Sequence, residues 1–196
     1  ALLCGAFLAA GLFVRVEARS RHPLMRPALL HHPVIGAGLA MSGLGTTVAM
    51  TTLVVGPFHL AGALRLDPAE VGLVMSTGPL AAALAGVPAG RAIDRFGAAR
   101  ATLAGLVAMA MGCLALSIIP ASCGIWGYIA PLVVLTAGFA TFQAANNTAV
   151  VNGGEAGERG VVSGMLGLSR NLGLVTGASA MGAVFSLTAS MGSTGS

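Results

Sequence analysis

The sequence predicts an all-α integral membrane protein, and three observations carry that reading. First, 56% of the residues are hydrophobic and only 8% are charged, and the mean hydropathy is +0.89. A soluble domain cannot clothe its surface with so little charge, so lipid is the fitting solvent. Second, the charges gather in short segments between long uncharged runs. A run of about twenty apolar residues is the length of a helix that crosses a bilayer. Third, lysine is absent and the net charge of +4 is all arginine over Asp and Glu. Arginines collected in short loops mark cytoplasmic turns. Nucleic acid is excluded as a partner, because no basic patch is interleaved with aromatics.

The elements follow in order. Residues 1–14 are apolar and the first arginines come after them, the reverse of a signal peptide. They read as the end of a preceding transmembrane span. Residues 15–30 read as a cytoplasmic linker: Arg15, Arg19, Arg21 and Arg26 outweigh Glu17, and Pro23 and Pro27 break any helix through it. His22, His31 and His32 lie in or beside it without a cysteine or carboxylate cluster, so no metal is expected. Cys4, Cys113 and Cys123 make an odd count with no disulfide framework.

Residues 31–196 read as one helical bundle, with spans expected at about 33–56, 71–89, 101–119, 129–150 and 161–187. Span one carries Gly36, Gly38, Gly43 and Gly45, which allow close helix approach. Its Thr47 and Thr51 share a face. They either bond back to their own helix or line a cavity, and the sequence alone leaves both readings open. Before span two, Asp67, Pro68 and Glu70 form a helix start with a capping box. Span two holds Gly72, Gly78, Pro79, Gly86 and Pro88, which are expected to be covered by neighbouring protein. Span three has nothing more polar than Thr102 and Ser117 and reads as the lipid-facing helix. Trp126 and Tyr128 open span four at interface depth, as belt anchors. Gln143, Asn146 and Asn147 lie in its cytoplasmic half, where lipid offers no partner, so they should line a cavity or meet another helix. Span five is rich in glycine and carries Arg170 and Asn171 inside it. No span contains Asp or Glu.

Spans two and three are joined by residues 90–100, a tight basic turn. Gly90, Asp94, Arg95 and Gly97 stand in the order G-x-x-x-D-R-x-G, flanked by Arg91 and Arg100. This resembles the loop motif of the major facilitator superfamily, found between the second and third helices of each six-helix half. Ala98 and Ala99 depart from it where a further basic residue is usual. The run over 160–173, with Gly164, Gly167, Arg170, Asn171 and Gly173, then Gly177 and Gly182, is similar to the penultimate helix of the fourteen-span drug:proton antiporters. The resemblance implies a major facilitator type C-terminal helical bundle, about five complete spans plus the end of a preceding one. It implies residues 90–100 as a gating loop, spans one and four lining the cavity through Thr47, Thr51, Gln143, Asn146 and Asn147, and Arg170 and Asn171 as intramembrane structural or switch residues.

The function so implied is secondary active transport in the plasma membrane, the inner membrane of a bacterium. Lipophilic or cationic drugs would be expelled against protons by alternating access, without a cofactor. The partners are a small-molecule substrate, protons, the lipid bilayer and an N-terminal half outside this chain. Because no span holds a carboxylate, the proton carrier is expected in that other half. The same fold would serve an importer of a small solute, or a membrane fragment that acts only with its other half. An intramembrane enzyme is not expected, since Ser163 and Ser169 lack an in-span His or carboxylate partner.

Overall fold

A computed structural model describes residues 29, 32–120, 123–155 and 157–193, with side chains to 185. The segment at 1–14 and, save Leu29, the linker at 15–30 lie outside the described residues. Five helices follow: α1 (Pro33–Ala63), α2 (Pro68–Phe96), α3 (Ala98–Ile118), α4 (Gly124–Asn152) and α5 (Arg159–Ser193). Among the described residues there is no strand. By length and apolarity α1 to α4 can each cross a membrane, and α3 has the highest mean hydropathy, 2.0. The helices run past the expected spans at several ends, because a helix does not stop where the hydrocarbon does.

α2 starts where the sequence places it. The Asp67 carboxylate accepts from the Glu70 backbone N–H at 2.8 Å, and the Glu70 carboxylate accepts from the Asp67 N–H at 3.1 Å. Its end corrects the expectation of a turn over 90–100. Residues 90–96 stay helical, and the break is Gly97 alone, at φ +85°. No residue before it resists the helix, whereas this left-handed conformation strains any residue with a Cβ. One glycine therefore joins α2 to α3.

α4 is the centre and touches all four other helices. Its contact with α3 is backbone to backbone. A Cβ on Gly105 would meet the Phe142 N–H and the Gly138 carbonyl, and a Cβ on Gly138 would meet the Met109 nitrogen at 2.6 Å. Gly112 lies equally close to Leu135. Partner numbers fall along α4 as they rise along α3, so the pair is antiparallel. The opposite face of α3 is a bare apolar stripe of Leu103, Val107, Met111, Leu114 and Ile118. Small residues toward protein and large apolar ones outward is the pattern of a helix with lipid on one side.

α1 and α5 run parallel. Ser169 meets Leu39, Gly173 meets Gly43, and Gly177 meets Thr47. α2 is parallel to α4, through Met75 beside Tyr128 and Gly78 beside Leu132 and Thr136. Directions thus alternate along the chain, and Gly97 lies at the same end as the α4–α5 link. An apolar cluster closes each end of the bundle. Ile35, Leu39, Val150, Val162, Met165 and Leu166 pack at the Gly97 end, and Leu60, Val74, Tyr128 and Leu132 at the other.

This chain covers α2 along one stripe only, Val74, Gly78, Ala85 and Ala89; Gly72 and Gly86 face open space, and Leu73, Leu80, Leu84 and Val87 are exposed. One expectation is corrected here. Tyr128 is not a belt anchor beside Trp126. Trp126 is 78% exposed, but Tyr128 is 7% exposed and its hydroxyl donates to Met75 Sδ at 3.8 Å. Two residues turn a helix by about 200°, so the two rings point to opposite sides.

Between the end clusters α1 is sewn to its neighbours by polar groups on its carbonyls. Asn146 Nδ2 donates to the Gly38 carbonyl at 2.9 Å and Ser169 Oγ to that of Leu39 at 2.6 Å. In the other direction Thr47 Oγ1 donates to the Gly173 carbonyl of α5 at 3.1 Å, while also bonding within α1 to Gly43, as Thr46 does to Ser42 at 2.7 Å. Asn146→Ala is expected to cost about 0.6–1.7 kcal/mol, the range for interhelical bonds in membranes, because the Gly38 carbonyl keeps its helical partner. Thermal unfolding in detergent measures it.

Candidate functional site

A chamber of about 230 Å³ lies among α1, α2, α4 and α5, walled by Met50, Leu53, Met75, Pro79, Phe139 and Leu174. Its wall is apolar in effect. Thr46, Thr52 and Thr136 border it, but their hydroxyls are turned back onto the Ser42, Val48 and Leu132 carbonyls at 2.7, 3.1 and 2.8 Å. Such a wall receives a lipophilic body and gives it few fixed hydrogen bonds.

The polar groups stand one helical turn away, toward the Gly97 end. Gln143 follows Phe139 by four residues on α4, and Arg170 precedes Leu174 by four on α5, so each shares a face with a chamber residue. Arg170 Nη2 donates to Asn147 Oδ1 at 3.1 Å, while Arg170 Nε is buried without an acceptor. Gln143 and Asn146 lie at a similar depth on α4. Arg170 meets Asn147 and not Asn146, because one residue turns α4 by about 100°. That step aims Asn147 at α5 and Asn146 at α1. Asn146, expected to line a cavity, is only 2% exposed and is committed to Gly38. Gln143 is half-buried and Asn171 is exposed.

Thr47 and Thr51 border a different space, a cavity of about 350 Å³ at the far end between α1, α3 and α4. His59, Ser117 and Tyr128 share it, and the His59 ring stacks on Tyr128 with centroids 6.0 Å apart. The sequence reading did not anticipate this cavity. Its signal was Ser117, a polar residue at the far end of a mostly apolar helix. Ser42 was also passed over: it is 1% exposed and its hydroxyl has no partner among the described residues.

At the Gly97 end, Arg91, Asp94, Arg95 and Arg100 are all exposed, and Gly90 has open space beside it. The Arg95 guanidinium lies 5.3 Å from the Phe96 ring centroid. Asp94 accepts no hydrogen bond from a helix N-terminus and forms no ion pair among the described residues. It sits in the last turn of α2, where the helix dipole disfavours a carboxylate. Local stability therefore does not account for it.

The sequence model of the Major Facilitator Superfamily matches residues 35–191, from the first turn of α1 to the last of α5. The chain belongs to this superfamily. Similar members include the uncharacterized transporter YebQ of Escherichia coli, 32% identical over 85% of this chain and 36% of its own length. The multidrug efflux pump LfrA of Mycolicibacterium smegmatis is 27% identical over 89% of this chain and 34% of its length. The drug efflux pump JefA of Mycobacterium tuberculosis is 30% identical over 94% and 36%. The chain thus spans 34–36% of the length of the curated relatives it matches. These superfamily members are named as a transporter and as efflux pumps, not as enzymes.

Proposed function

We propose that this chain is the C-terminal part of a secondary active exporter that expels lipophilic or cationic compounds in exchange for protons across a bacterial inner membrane. The observation that carries the reading is the apolar chamber with its hydroxyls turned away, in a superfamily member whose similar relatives include two efflux pumps. A wall without fixed directional bonds suits substrates that share only lipophilicity. The bare faces of α2 and α5, with Leu80, Leu84, Leu172 and Val175 exposed, suit packing against an N-terminal half. Movement of the two halves about a midplane site then exposes the chamber to each side in turn. Asp67, Glu70, Asp94, Glu155 and Glu158 all stand at helix ends or in links, so the coupling carboxylate belongs to the other half.

The test is transport by the full-length protein. Inside-out vesicles with an acid lumen should accumulate ethidium, and a protonophore should stop it. Accumulation that ignores the protonophore would remove proton coupling, and none at all would remove the exporter. Site-directed labelling checks the lining. With the native cysteines replaced by serine, Cys at 51, 143 and 147 should react with a water-soluble maleimide and be slowed by substrate. Cys at 146 should stay inert, and equal labelling of all four would mean that the polar residues line no defined path.

A further inference from the structure

Arg170 is the one charge in the middle of a described helix; the other described charges stand near helix ends or in links. Its guanidinium has five N–H donors. Asn147 takes one of them, and Nε is buried with no acceptor. Among the described residues it has no ion-pair partner. A neutral amide satisfies a hydrogen bond but leaves the charge uncompensated, and a lone charge in an apolar interior is costly.

We propose that Arg170, with Asn147 and Gln143, forms a carboxylate-binding site at the floor of the apolar chamber. The inference deepens the exporter reading and rests on it. A carboxylate supplies what the site lacks, two acceptor oxygens and one negative charge, in the planar geometry that a guanidinium grips with two parallel bonds. Asn147 holds the arginine in place, and Gln143, one turn along the same face of α4, is placed to add an amide donor. Leu174 lies one turn from Arg170 and Phe139 one turn from Gln143, so the chamber that both of them border lies about one helical turn from this cluster. A molecule with a lipophilic body and a carboxylate head matches both parts at once. A carboxylate on another membrane segment of the same protein carries the same chemistry, and the site then switches between states by making and breaking that pair.

The experiment uses the full-length protein in proteoliposomes with two probes, dodecanoate and tetraphenylphosphonium. If the transported molecule brings the carboxylate, Arg170→Gln weakens dodecanoate binding by about 10- to 100-fold, the scale of a charge-assisted bond. Tetraphenylphosphonium binding stays within about twofold, and Arg170→Lys falls between because it keeps the charge but not the fork. If the protein brings the carboxylate, wild type ignores dodecanoate, Arg170→Gln stops transport of tetraphenylphosphonium, and changing one Asp or Glu outside these residues to its amide restores it. A footprint on wild type covers the case in which Arg170→Gln fails to fold. Phenylglyoxal modification of Arg170, read by peptide mass, is slowed by dodecanoate in the first case and speeded by the amide change in the second. Arg170→Gln behaving as wild type with both probes, or a footprint that neither treatment moves, overturns the proposal. A wild-type protein that transports neither probe but shows the footprint protection overturns the exporter reading and leaves the site standing.

Discussion

Gly105→Leu is expected to leave almost no folded protein in the membrane. The Gly105 Cβ position is already occupied by the backbone of α4, at Phe142 and at the Gly138 carbonyl. A flexible side chain can move aside, but a backbone can yield only if the helices separate. Separation also opens the contacts at Gly138 and Gly112, so one substitution loosens the whole α3–α4 seam. Overpacking in a well-packed core costs about 1–3 kcal/mol, and a clash with backbone belongs at or above the top of that range. That is a large part of the stability of most domains. Gly86→Leu is the control, since nothing lies within 4 Å of its Cβ position. Detergent-extracted yield and thermal unfolding distinguish them: loss at 105 with retention at 86 is expected, and equal yields would mean that α3 and α4 do not meet through these glycines.

Asp94→Asn should slow transport strongly while leaving folding intact. The carboxylate is exposed, lacks a partner among the described residues, and stands at the helix end that disfavours it. Removing it should slightly stabilise α2. Under the exporter proposal it docks on a helix N-terminus of the other half in one state of the cycle. A carboxylate in a partly buried position of that kind is worth up to about 2 kcal/mol, so its loss shifts the balance of states by roughly tenfold or more. The expected result is unchanged yield and unfolding temperature with substrate efflux slowed by about that factor. Efflux at the wild-type rate would leave residues 90–100 a topological link and nothing more.

How much of this was legible beforehand depends on what each residue's neighbours decide. The helix class and the Asp67–Glu70 cap were legible because they rest on local hydropathy and local bonds. The blandness of α3 was legible too, since an exposed apolar stripe needs only apolar bulk. The direction of a side chain was not. Asn146 and Asn147 are adjacent and chemically identical, yet one is locked on α1 and the other holds Arg170. Only the position of the surrounding helices separates them. Trp126 and Tyr128 divide in the same way. Thr47 was open between bonding back to its own helix and facing a cavity, and it does both while also reaching the Gly173 carbonyl. Small residues announced close approach, but which backbone they approach is a matter of register. For α3 and α4 that register is set by which glycines happen to face each other.

The pairing of α1 with α5 has a consequence for how the protein is made. α1 to α4 are apolar enough to enter a bilayer on their own account, while α5 carries Arg170 about three turns in from its start. An arginine at the centre of an isolated span opposes insertion by about 2.5–3.5 kcal/mol, and the several glycines and serines around Arg170 contribute little to offset such a cost. α5 is also the last of the five to leave the ribosome. By then α1 and α4 are in place, with Asn147 ready for the arginine and the carbonyls of Leu39 and Gly43 ready for Ser169 and Gly173. Insertion of α5 is thus an assembly step, templated by helices already in the membrane. Mutations that spoil the α1 face should appear during biogenesis as α5 failing to insert, before any loss of transport is measured.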